Sequence, residues 1–123
     1  MDHPSVELVG RKRLHTGHFN VDEYLLRHRL YAGGWGEVIS RELVDRGRVV
    51  AVLPVDVRRD QVVLIEQFRP AAYAVGWEPW MIECVAGILE PGEHPEGVAR
   101  RESEEEAGLT IGRLHKVMEL SLI

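Results

Sequence analysis

Arg100–Glu106 reads Arg-Arg-Glu-Ser-Glu-Glu-Glu, four acids in seven residues. Glu102 and Glu106 are spaced i, i+4, and Glu105 follows Glu102 by three. On an α-helix these side chains meet on one side. In water, like charges at this spacing repel by about a few tenths of a kcal/mol. A divalent cation reverses the sign of that effect. Hard carboxylate oxygens suit Mg²⁺ or Mn²⁺, which keep several waters and take their other ligands from a phosphate substrate. No cysteine and histidine cluster has the spacing of a zinc site. The competing reading is a solvated helix face, its charge met by Arg100 and Arg101. The seven residues alone leave both readings open.

The elements that must position these residues are legible on either side. Trp80–Gly87, WMIECVAG, reads as a buried strand punctuated by Pro79 and Gly87. A loop with proline and glycine carries Glu93. A helix then runs from Pro95, which suits a first turn, to Gly108, which suits a C-terminal cap. Glu96 favours the positive end of its dipole. Upstream, Arg48–Val57 and Gln61–Phe68 are rich in β-branched residues, and Arg58-Arg59-Asp60 between them predicts a hairpin turn. Leu114–Ile123, LHKVMELSLI, predicts a further strand. A sheet with one helix on one face leaves its other face uncovered. The expectation is that these 123 residues are a fragment of a longer domain.

Residues 6–46 read as strands separated by a turn at Gly33, Gly34 and Gly36. Glu37–Val44, EVISRELV, alternates between two faces. Apolar content here is too low for an independent core, which predicts packing against a partner such as a second copy.

Hydrophobic residues make up 45% of the chain and charged residues 28%, the profile of a soluble globular protein. A net charge of -5 disfavours broad nucleic-acid binding. No apolar run reaches the roughly 20 residues of a membrane helix. The opening MDHPSVELVG lacks the basic-then-apolar order of a signal peptide. Cys84 is the single cysteine, so no internal disulfide forms, and a reducing, cytoplasmic location is expected.

Gly87, five residues, Glu93, seven residues, and then Arg101-Glu102-Ser103-Glu104-Glu105-Glu106-Ala107-Gly108-Leu109 resembles the Nudix box, G-x5-E-x7-R-E-U-x-E-E-x-G-U, where U is a bulky aliphatic residue. Ser103 is the departure, and a small residue there is expected to pack toward the sheet. Outside the box, GRKRLHTGHFNVDEYLLRHRL, SRELVDRG, VLIEQFRPAAY and WMIECVAGILEPGE look like the ADP-ribose pyrophosphatase branch of the Nudix hydrolases. The resemblance implies an α+β fold: an α/β/α Nudix sandwich with a mixed sheet over residues 47–123, preceded by a dimerising β-region over 1–46.

It also implies Mg²⁺-dependent hydrolysis of ADP-ribose to AMP and ribose 5-phosphate. The alternatives are GDP-mannose or another nucleoside-diphosphate sugar, a non-catalytic ADP-ribose-binding module, or an inactive fragment. By resemblance, Glu102 and Glu106 are principal metal ligands, with Glu105, Glu93 and the Ala86 carbonyl beside them, and Arg101 orients the glutamates. Arg69, Arg41, Glu42 and His18 are the substrate-binding candidates, the middle two acting across a homodimer. Trp77 and Trp80 are expected in core or interface packing, Cys84 as a buried small hydrophobe, and the remaining histidines at the surface. In the family, a glutamate well beyond the box often acts as base or completes the metal site; that position would lie past Ile123.

Overall fold

Asn20–His28, NVDEYLLRH, forms the central strand of the N-terminal part of the computed structural model, which describes residues 3–121. As β2 it pairs antiparallel with β1 (Val6–Thr16) on one edge and β3 (Ile39–Asp45) on the other. The register sets Arg11, Tyr24 and Arg41 in one cross-strand row and Arg13, Asp22 and Leu43 in another, two residues along. Side chains of opposed residues share a face. Two register shifts, between Leu8 and Gly10 and between Arg13 and His15, bulge β1. Asp22, only 3% exposed, is the one buried residue of this sheet. Leu8, Val9, Leu14, Phe19, Leu25, Leu43 and Val44 remain exposed. The low apolar content that the sequence predicted thus appears as a sheet with almost no core of its own.

The chain divides into two compact units, Met1–Arg46 and Gly47–Ile123. In the second unit, β4 (Arg48–Val52) pairs antiparallel with β9 (Val85–Leu89). The run predicted as Arg48–Val57 breaks after Val52. Pro54 has no N–H to give a ladder, and its carbonyl accepts instead from the Val63 N–H at 3.0 Å. Beyond it, β5 (Val55–Asp56) and β6 (Gln61–Val62) form the hairpin expected over Arg58-Arg59-Asp60. Asp56 Oδ1 accepts from the N–H groups of Arg58 and Arg59 at 3.0 and 3.2 Å, and Asp60 takes a positive φ of 55°. Such Asx-type bonding is a standard way to close a turn.

β7 (Ile65–Phe68) pairs with β8 (Trp80–Glu83), and the short helix α1 (Pro70–Ala74) lies between them in sequence. Trp80–Gly87, predicted as one strand, is therefore two. β8 belongs to β7 and β9 belongs to β4, and the chain changes partner at Cys84. That residue is half-buried rather than buried.

The helix predicted from Pro95 to Gly108 is α2 (Pro95–Ala107), closed by Gly108 in the left-handed conformation at φ 63°. It packs on β9 and β4. Val52, Val85 and Ala99 form the core, with Val50, Ile65, Ala107 and Leu114 against it. Val85 is fully buried, a contribution of about 1.5–3 kcal/mol. Ser103 is also fully buried, its Oγ donating to the Ala99 carbonyl at 2.7 Å. A serine is tolerated at this inward position because its hydroxyl is satisfied within the helix.

Three expectations need correction. Of the strand expected over Leu114–Ile123, residues 114–121 carry none, because a strand exists only when hydrogen-bonded to another and no described strand pairs with this segment; 122 and 123 lie outside the described residues. Leu114 packs against the core, and exposed Glu119 pairs with Arg48 outside the segment and with Lys116 within it. Trp77 and Trp80 are 68% and 55% exposed, which overturns the core part of the core-or-interface expectation alone; Trp80 sets its edge against Phe68 at 5.5 Å. Every strand pair among the described residues is antiparallel, without the parallel pairing of a mixed sheet. The α+β class itself holds. Among the described residues no helix is long and apolar enough to cross a membrane.

Candidate active site

The box residues meet where the end of β9 faces α2. Gly87 shows the closeness of the approach. Its φ is not positive, so backbone freedom is not what requires glycine there. A Cβ added to it would overlap Cγ, Cδ and Oε1 of Glu102. The bare strand at Gly87 is the floor on which the Glu102 side chain lies, 14% exposed.

Arg101 is the hub of the acidic side chains. Its Nη1 donates to Glu102 Oε1 at 2.7 Å and lies 3.7 Å from Glu105 Oε2, while Nη2 reaches Glu93 Oε1 at 3.4 Å. Partial desolvation works against its charge, but Glu102, Glu93 and Glu105 outweigh that and raise the guanidinium above its ordinary pKa. Glu93 is placed by a turn in which its N–H donates to the Glu90 carbonyl at 3.0 Å. Pro91 and positive-φ Gly92 occupy the central positions, as a type II turn requires. Glu93 Oε2 in turn accepts from the Glu90 N–H at 2.9 Å.

Glu106 stands apart from the hub. Its Oε1 accepts from Gln67 Nε2 at 2.9 Å and its Oε2 from the Ala86 N–H at 3.2 Å. In a strand, the N–H and C=O of one residue project toward the same edge. The Ala86 carbonyl therefore faces the same side as Glu106, away from β4. Gln67 stands outside the box; it lies in the VLIEQFRPAAY segment, but nothing there singled it out for a role at the site. Only the pairing of β7 with β8, which no local pattern encodes, brings it to the helix.

These residues fit a hard divalent cation. All the donors are oxygens. One guanidinium among Glu93, Glu102 and Glu105 leaves a surplus of negative charge. Glu104, Glu105 and Glu106 also occupy the last turn of α2 with no basic residue beside them. There they oppose the helix dipole, at roughly 0.3–1 kcal/mol each. Among the described residues, no three acidic, histidine or cysteine side chains are gathered on a single point. Arg101 spreads the carboxylates between its own nitrogens.

Arg69 lies just past β7, its Nε donating to Glu83 Oε1 at 2.7 Å and its Nη2 paired with Glu83 Oε2. The hydrogen bond raises the Arg69 pKa and lowers that of Glu83. Both line an open hollow of about 350 Å³ with Ala72, Val75, Trp77 and Met81. Arg41, Glu42 and His18 belong to the first unit. Arg41 is exposed on β3, its Nη1 donating to the Ser40 carbonyl at 2.7 Å. Glu42 is directly opposite Glu23 across the β2–β3 ladder. His18, in the β1–β2 turn, tilts against Phe19 at 4.8 Å between ring centres.

Comparison with known proteins identifies the family. Residues 45–122 match the NUDIX domain model. The chain is 48% identical over 113 residues to the ADP-ribose pyrophosphatase of Escherichia coli (strain K12), covering 92% of this chain and 54% of that protein. It is 43% identical over 112 residues to the ADP-ribose pyrophosphatase of Haemophilus influenzae, covering 89% and 52%. It is 42% identical over 88 residues to a GDP-mannose pyrophosphatase of Shigella flexneri, covering 69% and 46%. The chain spans about half the length of these curated relatives. With the box assembled on β9 and α2 and the family model matching over most of the chain, the protein belongs to the NUDIX domain family.

Proposed function

We propose that the protein hydrolyses the diphosphate of ADP-ribose, giving AMP and ribose 5-phosphate, with Mg²⁺ or Mn²⁺ as cofactor. The observation that carries this reading is the carboxylate group around Gly87, which has more negative charge than its single arginine can meet. An anionic diphosphate does not enter such a site unaided. A bound divalent cation would supply the positive charge that an anionic diphosphate needs here and would lower the pKa of an attacking water.

In this reading Glu102 and Glu106 hold the ion, with Glu93, Glu105 and the Ala86 carbonyl completing the oxygen set. Arg101 gives up part of its hold on the glutamates and keeps them oriented by charge-assisted bonds. Glu83 occupies Nε and Nη2 of Arg69, which fixes the plane of the guanidinium and leaves Nη1 to meet a substrate oxygen. Trp77, on the rim of the same hollow, offers an aromatic wall. Water adds to one phosphorus, the bridging P–O bond breaks, and the two monophosphates leave. Arg41 and Glu42 contribute from a partner subunit, in a cytoplasmic homodimer formed through residues 1–46, and His18 is a further substrate-binding candidate. The α/β/α sandwich of the family is the proposed frame for the second unit.

The GDP-mannose reading is supported by the Shigella relative and uses the same carboxylates. Release of AMP from ADP-ribose, or of GMP from GDP-mannose, with and without Mg²⁺, decides between them. Faster turnover of ADP-ribose supports the first reading. Preferential release of GMP favours the second, and metal-dependent binding without turnover marks a non-catalytic module. Light scattering on the same preparation reads the dimer; a stable monomer counts against it.

A further inference from the structure

We infer that Gln67 is the positioning residue for Glu106, fixing the plane of that carboxylate for the cation; this rests on the metal reading above. The inward face of β7 runs from Ile65, packed on the core, to half-buried Gln67, and then to Arg69 just beyond the strand. Gln67 and the Ala86 N–H, from two different strands, each give one hydrogen bond to one oxygen of Glu106. Two donors on separate oxygens define the carboxylate plane. A free glutamate side chain has several rotatable bonds, and freezing it costs conformational entropy. Here that cost is met before any ion arrives.

The donor's chemistry also matters. Each carboxylate oxygen has two acceptor directions, so one hydrogen bond leaves the other direction for a cation. An amide donor holds the group without cancelling its charge, which a guanidinium at the same place would do. Glu102, Glu93 and Glu105 share an arginine instead, whereas Glu106 takes its hydrogen bonds from neutral donors, and the Arg69 guanidinium acts on it through charge alone. Outer-shell partners of this kind typically change metal affinity 10–100-fold when removed.

The test is a double-mutant cycle on the full chain, with Mn²⁺ affinity read by electron paramagnetic resonance. Gln67→Met keeps the length and removes the donor; it is expected to weaken Mn²⁺ binding roughly tenfold. Added to Glu106→Gln, it is expected to change affinity by less than about twofold, since the partner it served is gone. Equal loss in both backgrounds, or wild-type affinity in Gln67→Met, overturns the inference. Wild-type affinity in Glu106→Gln overturns the metal reading beneath it. A measurement on the unmutated side chain covers failure of a variant to fold. The Gln67 side-chain amide signals in the NMR spectrum of the wild-type chain are expected to shift on titration with Mg²⁺; no shift at saturation overturns the inference.

Discussion

Arginine and carboxylate meet in opposite proportions in the two units. On the first sheet, Arg11 and Arg13 both close on Asp22. In the second, Arg101 serves Glu93, Glu102 and Glu105. Two cations on one buried carboxylate leave that anion fully paired, which makes Asp22 a pin for the strands around it. One cation among three carboxylates leaves charge unmet, which makes the second cluster a receptor. The same two side-chain chemistries thus give a structural joint in one place and a surplus of negative charge in the other, where the cation is proposed to bind, and stoichiometry separates the two.

Substitutions in both units test that division. The largest effect is expected from the receptor: Glu102→Gln or Glu106→Gln lowers kcat for ADP-ribose by about 10²–10³-fold, as losing electrostatic stabilisation of a developing charge does. The urea midpoint is expected to stay near that of wild type. A lost fold would show the glutamates to be structural and erase the contrast. Gly87→Ala comes next. Its methyl displaces the Glu102 side chain, so activity falls about 10–100-fold, the range for disturbing a metal ligand's setting, while backbone torsion permits alanine. Wild-type kinetics in this variant would show that Glu102 need not lie on the strand.

The smallest effect on catalysis is expected from Asp22→Asn, which acts on stability. It lowers the urea midpoint more than Glu7→Gln, which breaks only an exposed pair with Arg27. Hydrogen bonds from Arg13 and Arg11 hold the Asp22 pKa below its ordinary value. Its stabilisation is therefore complete above the ordinary aspartate range and is lost as pH falls through the lowered value. Urea midpoints of wild type and variant should converge in acid; a constant gap would show that Asp22 acts by shape alone.

Both ends of α2 were legible because they rest on local chemistry: Pro95 at the start and Gly108 in a left-handed cap. The hairpin at Arg58-Arg59-Asp60 was legible for the same reason. The break at Pro54 was readable in principle, since a proline inside an apolar run argues against one continuous strand. The switch of partners at Cys84 was not. Nothing in WMIECVAG tells which half pairs with β7 and which with β4. The site divides along the same line. Glu93, Arg101, Glu102, Glu105 and Glu106 stand in one motif with fixed spacing. Gln67 reaches Glu106 across 39 positions of sequence, through a strand pairing that no local pattern records.

The glycine at the floor of the site links two positions in their tolerance to change. At Gly87 the backbone would accept other residues, and the objection comes from a neighbour fifteen positions on. The constraint is thus epistatic: a methyl group at Gly87 is harmful only while a long side chain occupies position 102. A lineage that shortened that side chain would free the glycine to drift, and the first letter of the motif would fade together with its glutamate.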